Sequence, residues 1–282
     1  MRQSEIQDIE VKLFVEAMRL RHGYDFRNYA MASLKRRIVS LCAQLGATHV
    51  LDLIPRLLNE PSVHRQMISQ MSVPVSEMFR DPAEFKFLRE SVIPLLQSYP
   101  RVTIWQAGCA NGEEVYSVAI MLLEEGIYHR CTIFATDIND IALEWAEEGI
   151  YSLSALRAYD VNYRRAGGKF TLDRYYRANH NSGIIDSELR KNIIFTHHNL
   201  VSDGVFCEAN FVMCRNVLIY FDRILQGKVL QLFRECLARG GFLCLGTKES
   251  ISIAEIAEDF RVIDPERSIF QFQPKPRPCH EH

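Results

Sequence analysis

Residues 102–119, VTIWQAGCANGEEVYSVA, followed by CTIFATD ending at Asp137, constrain this chain more than any other stretch. A β-branched run leads into a turn of small residues, then a helical segment, then a second apolar run closing on an aspartate. That order is the start of a nucleotide-type βαβ unit, in which small residues let backbone approach a ligand and a carboxylate grips ribose hydroxyls. The glycine spacing does not fit G-x-G-x-x-G, and Glu113 and Glu114 follow directly. Two carboxylates at a helix N-terminus suit the macrodipole but repel a pyrophosphate. The unit therefore favours an adenosine ligand without phosphates, and S-adenosylmethionine is the common cofactor of that description.

The rest of the chain fits an α/β reading. Strands are expected at 102–107, 131–136, 192–196, 210–214 and 242–245, with a closing pair at 260–263 and 268–272. Helices are expected at 113–124, 140–148 and 222–237. Such alternation implies a parallel sheet covered on both faces. Residues 151–191 break the rhythm with a polar, Tyr- and Arg-rich stretch, read as an insertion carrying a short hairpin. Before the sheet, residues 1–71 read as four helices, the first with a stripe of Ile6, Ile9, Leu13 and Ala17 and the second with Leu34, Ile38, Leu41 and Leu45. Residues 72–82 (SVPVSEMFRDP) read as a linker, 83–98 as one helix, 83–273 as the sheet domain and 274–282 as a flexible tail.

Charge and cysteines narrow the class. A net charge of −2 excludes bulk electrostatic binding of nucleic acid, and no N-P-P-Y-like base clamp is present. No run approaches the roughly 18 apolar residues of a membrane span, and the charged N-terminus has no signal-peptide core. The eight cysteines contain no C-x-x-C pair, which suits buried thiols in a reducing cytoplasm better than a disulfide framework or zinc site. The first seventy residues carry ten Lys or Arg against seven Asp or Glu, concentrated at Lys35, Arg36 and Arg37. That run is a solvated helix face or a docking face for an acidic partner.

Ligands of open α/β sheets bind beyond the strands' C-terminal ends. Those ends carry Gly108, Asp137, Asn199-Leu200 and Arg215-Asn216. Asp137 is suited to a ribose diol or to capping the next helix, and Asn199 to a ligand or to an Asx turn. Glu113 and Glu114 suit the helix dipole, or one of them a ligand ammonium. Arg215 suits a ligand edge shared with Asn216 and Tyr220, or an ion pair. Arg80, in a flexible linker, suits either a carboxylate of the protein or an anionic ligand group.

Taken together, these blocks resemble the CheR family of chemoreceptor glutamate methyltransferases over almost the whole chain. YDFRNYAMASLKRRI resembles its helical signature, VSEMFRDP its linker, WQAGCANGEEVYSVA its cofactor loop and CRNVLIYFD its most distinctive block. The resemblance implies an N-terminal all-α region followed by a Rossmann-like class I S-adenosylmethionine-dependent methyltransferase domain with an inserted small β-subdomain. It places cofactor contacts on Ser76, Arg80, Glu114, Asp137, Asn199, Leu200, Arg215 and Asn216, and Tyr220 beside the transferred methyl. Arg80 and Tyr220 would be the catalytic pair, with S-adenosylhomocysteine as product and no metal. Lys35, Arg36 and Arg37 would meet the helical cytoplasmic bundle of a chemoreceptor, which would recruit the cytoplasmic enzyme to membrane-bound arrays without inserting it. Ser76 stands where Thr is usual, keeping the hydroxyl, and Pro74 where some members have Asn. The hairpin between Tyr175 and Leu189 is shorter than in members that grip a receptor pentapeptide, which implies pentapeptide independence. Oligomeric state is left open. The readings from other classes are a signalling scaffold that binds the cofactor without transfer, and a nicotinamide oxidoreductase, which the glycine pattern and the Glu pair oppose.

Overall fold

In the computed structural model, which describes residues 3–72, 76–252 and 255–274, the helical region comprises α1 (Gln3–His22), α2 (Met31–Gln44), α3 (Leu53–Asn59) and α4 (Pro61–Met71). Their core is Val11, Phe14, Val15 and Met18 of α1 against Leu34, Ile38 and Leu41 of α2, Leu53 and Leu57 of α3, and Met67 of α4. The apolar stripe expected on α1 is the wrong one. Ile6, Ile9 and Leu13 are 40%, 46% and 49% exposed. This helix carries two apolar stripes, and the one bearing Phe14 and Met18 buries more surface per side chain.

Next come α5 (Pro82–Phe87) and α6 (Ile93–Leu96), joined by a π-helical turn over Leu88–Val92. The widened turn precedes Pro94, which has no N–H for the helical ladder and whose ring crowds the preceding turn. Phe85, Leu88, Val92 and Leu96 are buried, whereas Leu95 is exposed.

The α/β region then runs β1 (Val102–Ala107), α7 (Glu113–Glu124), β2 (Cys131–Asp137), α8 (Asp140–Glu148), β3 (Ile150–Ser152), α9 (Leu153–Arg165), β4 (Tyr176–Asn179), β5 (Ser182–Ile185), α10 (Ser187–Arg190), β6 (Ile193–His197), β7 (Ala209–Cys214), α11 (Arg223–Cys236), β8 (Leu237–Leu245), β9 (Phe260–Asp264) and β10 (Ile269–Phe272). Seven strands form one sheet in the order β6-β2-β1-β7-β8-β10-β9. It is parallel except at β10, which is antiparallel to β8 and β9. The parallel body is what the alternation predicts and the Rossmann-like architecture what the resemblance implies; the antiparallel β10 makes the sheet mixed. One face is covered by α5, α6 and α7. On the other, Trp105 and Val212 pack against Val229, Leu230 and Phe233 of α11.

The register of β1 on β2, Val102 with Cys131 through Ala107 with Thr136, brings Gly108 beside Asp137. The strand order also reverses here, since β2 lies on one side of β1 and β7 on the other. Such a switch point opens a crevice at the strands' C-terminal ends.

The insertion is richer than a hairpin. β3, β5 and β4 form a three-stranded antiparallel sheet, and 13-residue α9, capped by Ser152 accepting from the Ala155 amide at 3.2 Å, packs beside it. Only Leu156 and Tyr163 of α9 are buried, so its sequence lacks a strong apolar period. The seven described cysteines are unbridged; Cys207 and Cys236 bring their sulfurs to 3.9 Å. Among the described residues, no helix is long and apolar enough to cross a membrane. Pro74, Cys279 and the tail beyond residue 274 lie outside the described residues.

Candidate cofactor site

The floor of the site is the β1–α7 turn. Gly108 sits at φ +78°, and a Cβ there would come within 2.4 Å of Val217 Cγ2. Only glycine meets both demands. Asp137 closes the turn from β2: its Oδ2 accepts from the Ala110 amide and its Oδ1 from the Asn139 amide, each at 2.9 Å. Burial raises the Asp137 pKa above the ordinary value, against those two bonds. The cap of α8 is Asn139, whose Oδ1 accepts from the Ile141 and Ala142 amides at 3.1 and 3.3 Å. Each oxygen of Asp137 keeps a further lone pair, a suitable arrangement for two vicinal hydroxyls.

The linker is pinned at its C-terminal end rather than flexible there. Phe79 is fully buried, edge-on to Phe85 and Tyr163 at 5.2 Å, and its amide donates to Ser117 Oγ at 2.9 Å. Phe79 and Asp81 both hold left-handed backbone, at φ 54° and 56°, a conformation that persists only where surroundings enforce it. Asp81 is enforced by Arg215. The fully buried Arg215 guanidinium meets Asp81 Oδ2 at 2.7 Å and Glu84 Oε1 at 2.6 Å, and pairs with Glu114 Oε2. Burial works against its charge; the Glu114 and Glu84 carboxylates overcome that and hold its pKa above the ordinary value. Glu84 is pushed up to about 7 by burial, despite Arg215. Between the fixed Phe79 and Asp81, Arg80 is delivered to the cavity. Among the described residues its guanidinium makes no hydrogen bond or ion pair.

The third wall is the turn after β7. Asn216 is left-handed at φ 61°, and Glu249 holds the turn: its Oε2 accepts from the Gly246 and Asn216 amides at 2.7 and 3.0 Å, its Oε1 from Ile219 at 3.2 Å. Burial raises the Glu249 pKa against these bonds. The turn ends at Tyr220, whose ring carries the Arg37 guanidinium 4.5 Å above its centroid. The loop between α1 and α2 completes the wall. Its Ala30 amide donates to the Tyr220 carbonyl at 2.9 Å, and the Asp222 amide donates to the Asn28 carbonyl at 2.8 Å.

Together these elements enclose a cavity of about 370 Å³, within the usual range for small-molecule sites. Ser76, Arg80, Glu114, Asp137, Asn199, Leu200, Arg215, Asn216 and Tyr220 all line it. Glu113 does not; it is buried nearby with its pKa pushed up to about 7 by burial. Asn199 makes the Asx turn, its Oδ1 accepting from Val201 at 3.0 Å, and lines the cavity as well. The basic run splits three ways: Lys35 pairs with Asp8 at 2.7 Å, Arg36 is exposed and Arg37 turns inward over Tyr220. Reading the sequence missed Phe26, Tyr29, Ser72 and His198, which line the cavity, and the supporting pair Glu84 and Glu249. The only one-dimensional signal for Glu249 was a glutamate just after a strand, in GTKES.

The lining fits S-adenosylmethionine. Glu114 and Asp137 both bring carboxylates to the cavity, which suits an ammonium and ribose hydroxyls and disfavours a pyrophosphate. The unpaired Arg80 suits the ligand's carboxylate.

Known proteins resemble this chain along most of its length. Residues 74–269 match the family described as CheR methyltransferase, SAM binding domain, and residues 9–72 match CheR methyltransferase, all-alpha domain. The chain is 46% identical over 264 residues to the putative methyltransferase Cher3 of Pseudomonas putida, covering 94% of this chain and 97% of that protein. It is 30% identical to a chemotaxis protein methyltransferase of Listeria innocua, covering 81% and 85%. It is 26% identical to the probable biofilm formation methyltransferase WspC of Pseudomonas aeruginosa, covering 86% of this chain and 57% of that one.

Proposed function

The chain belongs to the CheR methyltransferase family, and from that premise we propose that it methylates the γ-carboxylate of glutamates on the helical cytoplasmic bundle of a chemoreceptor, giving glutamyl methyl esters for signal adaptation. S-adenosylmethionine supplies an electrophilic methyl on a sulfonium. A glutamate with a pKa of about 4.3 is already ionised at neutral pH, so the acceptor needs no general base. The protein's contribution is positioning, which can supply up to roughly 7–11 kcal/mol.

In this reading Asp137 holds the ribose through the lone pairs its two amide bonds leave open, and Arg80 pins the ligand carboxylate with Ser76 beside it. Glu114 faces the ammonium, and Asn199 and Leu200 border the adenosine end. Arg215 acts through the linker: by clasping Asp81 and Glu84 it fixes Arg80. Asn216 shapes the turn that carries Tyr220, and the Tyr220 hydroxyl orients the reacting carboxylate. The short β4–β5 hairpin, four residues a strand, supports receptor recognition without a pentapeptide tether; receptor arrays as the place of work follow from the family premise.

The observation that carries the proposal is that one cavity gathers all nine of those residues at the strands' C-terminal edge. Incubation with methyl-labelled S-adenosylmethionine and a chemoreceptor cytoplasmic fragment tests it. Base-labile label on glutamate is the expected result, obtained equally from a fragment lacking its C-terminal pentapeptide. Cofactor binding without label on any receptor fragment would favour the scaffold reading instead.

A further inference from the structure

The cavity wall supplied by the helical region holds a polar group that the mechanism above does not use. Tyr29, in the loop between α1 and α2, lines the cavity, and its hydroxyl makes no hydrogen bond among the described residues. Its position is fixed from two sides. The ring stands edge-on to Phe26 and to Phe221, 4.9 Å from each centroid, at 75° and 68°. Its backbone forms an antiparallel bridge with Phe221, flanked by the two backbone hydrogen bonds that join 28–30 to 220–222.

A phenol this well anchored by its ring and left without a partner at its polar end is unusual, since tyrosine hydroxyls in such settings normally find one. Burial and the Asp137 charge both raise the Tyr29 pKa, with Arg37 opposing, so at neutral pH the group is an O–H donor. Asp137, an acceptor only, takes hydrogen bonds from ribose hydroxyls. Those hydroxyl oxygens then keep lone pairs that need a donor.

We propose that Tyr29 is a cofactor-contacting residue supplied by the helical region, its O–H donating to the ribose that Asp137 accepts from. The inference rests on the assignment of the cavity to S-adenosylmethionine. It means that the site is complete only while the loop before α2 is docked on the 220–222 turn, so cofactor affinity reports on that docking.

Isothermal titration of the full chain tests this, with S-adenosylhomocysteine and adenosine as probes against wild type, Tyr29→Phe and Asp137→Ala. Tyr29→Phe keeps the ring contacts, so thermal stability should not change. Its affinity should fall by about 3- to 10-fold, the loss expected for one neutral hydrogen bond, and by the same factor for both probes because they share the ribose. Wild-type affinity in Tyr29→Phe alongside lost binding in Asp137→Ala overturns the inference and leaves the cofactor reading standing. A loss for S-adenosylhomocysteine with none for adenosine overturns the ribose assignment by moving the contact to the amino-acid end. Failure of wild type to bind either probe overturns the cofactor reading, and this inference with it.

Discussion

The strand-end side of the cavity and the side built by the linker and the helical region differ in how their polar groups are satisfied. On the strand side the main groups are already paired: Asp137 with two amides, Glu249 with three, Glu114 with Gln106 and Arg215. On the other side the Arg80 guanidinium and the Tyr29 hydroxyl reach the same cavity without a hydrogen bond among the described residues. The first is preorganised by the fold, and a ligand uses only its remaining lone pairs. The second is held in place by neighbours but completed by a ligand. Substitutions on the strand side should therefore cost stability first and binding through it, whereas those on the other side should cost binding alone.

The largest effect expected is at Arg215. Replacing it with Met removes the cation that pairs with Asp81, Glu84 and Glu114, leaving the buried Glu84 and Glu114 carboxylates without their guanidinium, a loss of roughly 3–5 kcal/mol. Urea denaturation should show that fall, and cofactor affinity should fall with it as the Phe79–Asp81 backbone relaxes. A loss under about 1 kcal/mol would mean that the cluster is already largely protonated.

Glu113 sharpens the same point through pH. Its carboxyl is buried without a cation against it among the described residues, and burial pushes its pKa up to about 7, above the unfolded value near 4.3. The folded state thus binds more protons between these two values, so the group's contribution to stability declines as pH rises from about 5 to above 7. Glu113→Gln should flatten that slope, with a gain of order 3 kcal/mol at pH 8 as the ceiling. Thermal melts of both proteins from pH 5 to 8 measure it; parallel curves would place the Glu113 pKa back in the ordinary range.

Arg80→Ala is the counterpart on the unsatisfied side. Stability should stay within about 0.5 kcal/mol, while affinity for S-adenosylhomocysteine should drop roughly 10- to 100-fold, the range of a charged hydrogen bond. Titration and melting on the same sample separate the two. A variant that melts early would show that Arg80 belongs to the strand-side network after all.

The same division explains what could be read from the sequence. The sheet was legible because its strands are short apolar runs with local boundaries, and the strand-end residues because the parallel fold puts ligands there. The Arg215 cluster was not, because its partners Asp81 and Glu84 lie more than 130 residues earlier and no periodicity links them. Tyr29 was invisible for the same reason: its meaning comes from docking on Phe221. On α1, two apolar stripes competed, and Ile6, Ile9 and Leu13 gave the cleaner helical spacing without being the buried face. On α9, polarity hid a helix whose cap, Ser152, was the available signal.

The smallest effect concerns the basic run on α2. Consecutive helical residues project about 100° apart, so Lys35, Arg36 and Arg37 do not share one face. Lys35 is engaged by Asp8, and Arg37 is buried over Tyr220, where burial lowers its pKa. That leaves Arg36 as the member of the run open to an acidic receptor helix. Arg36→Ala should raise KM for a receptor fragment by about 2- to 3-fold at low salt, with kcat unchanged, and the difference should vanish near 0.5 M salt as screening removes a solvent-exposed charge. Arg37→Ala should instead lower kcat at every salt concentration, because it leaves the Tyr220 ring without its stacked guanidinium. Equal, salt-sensitive KM effects at all three positions would restore a continuous docking face and place Arg37 outside the reaction centre.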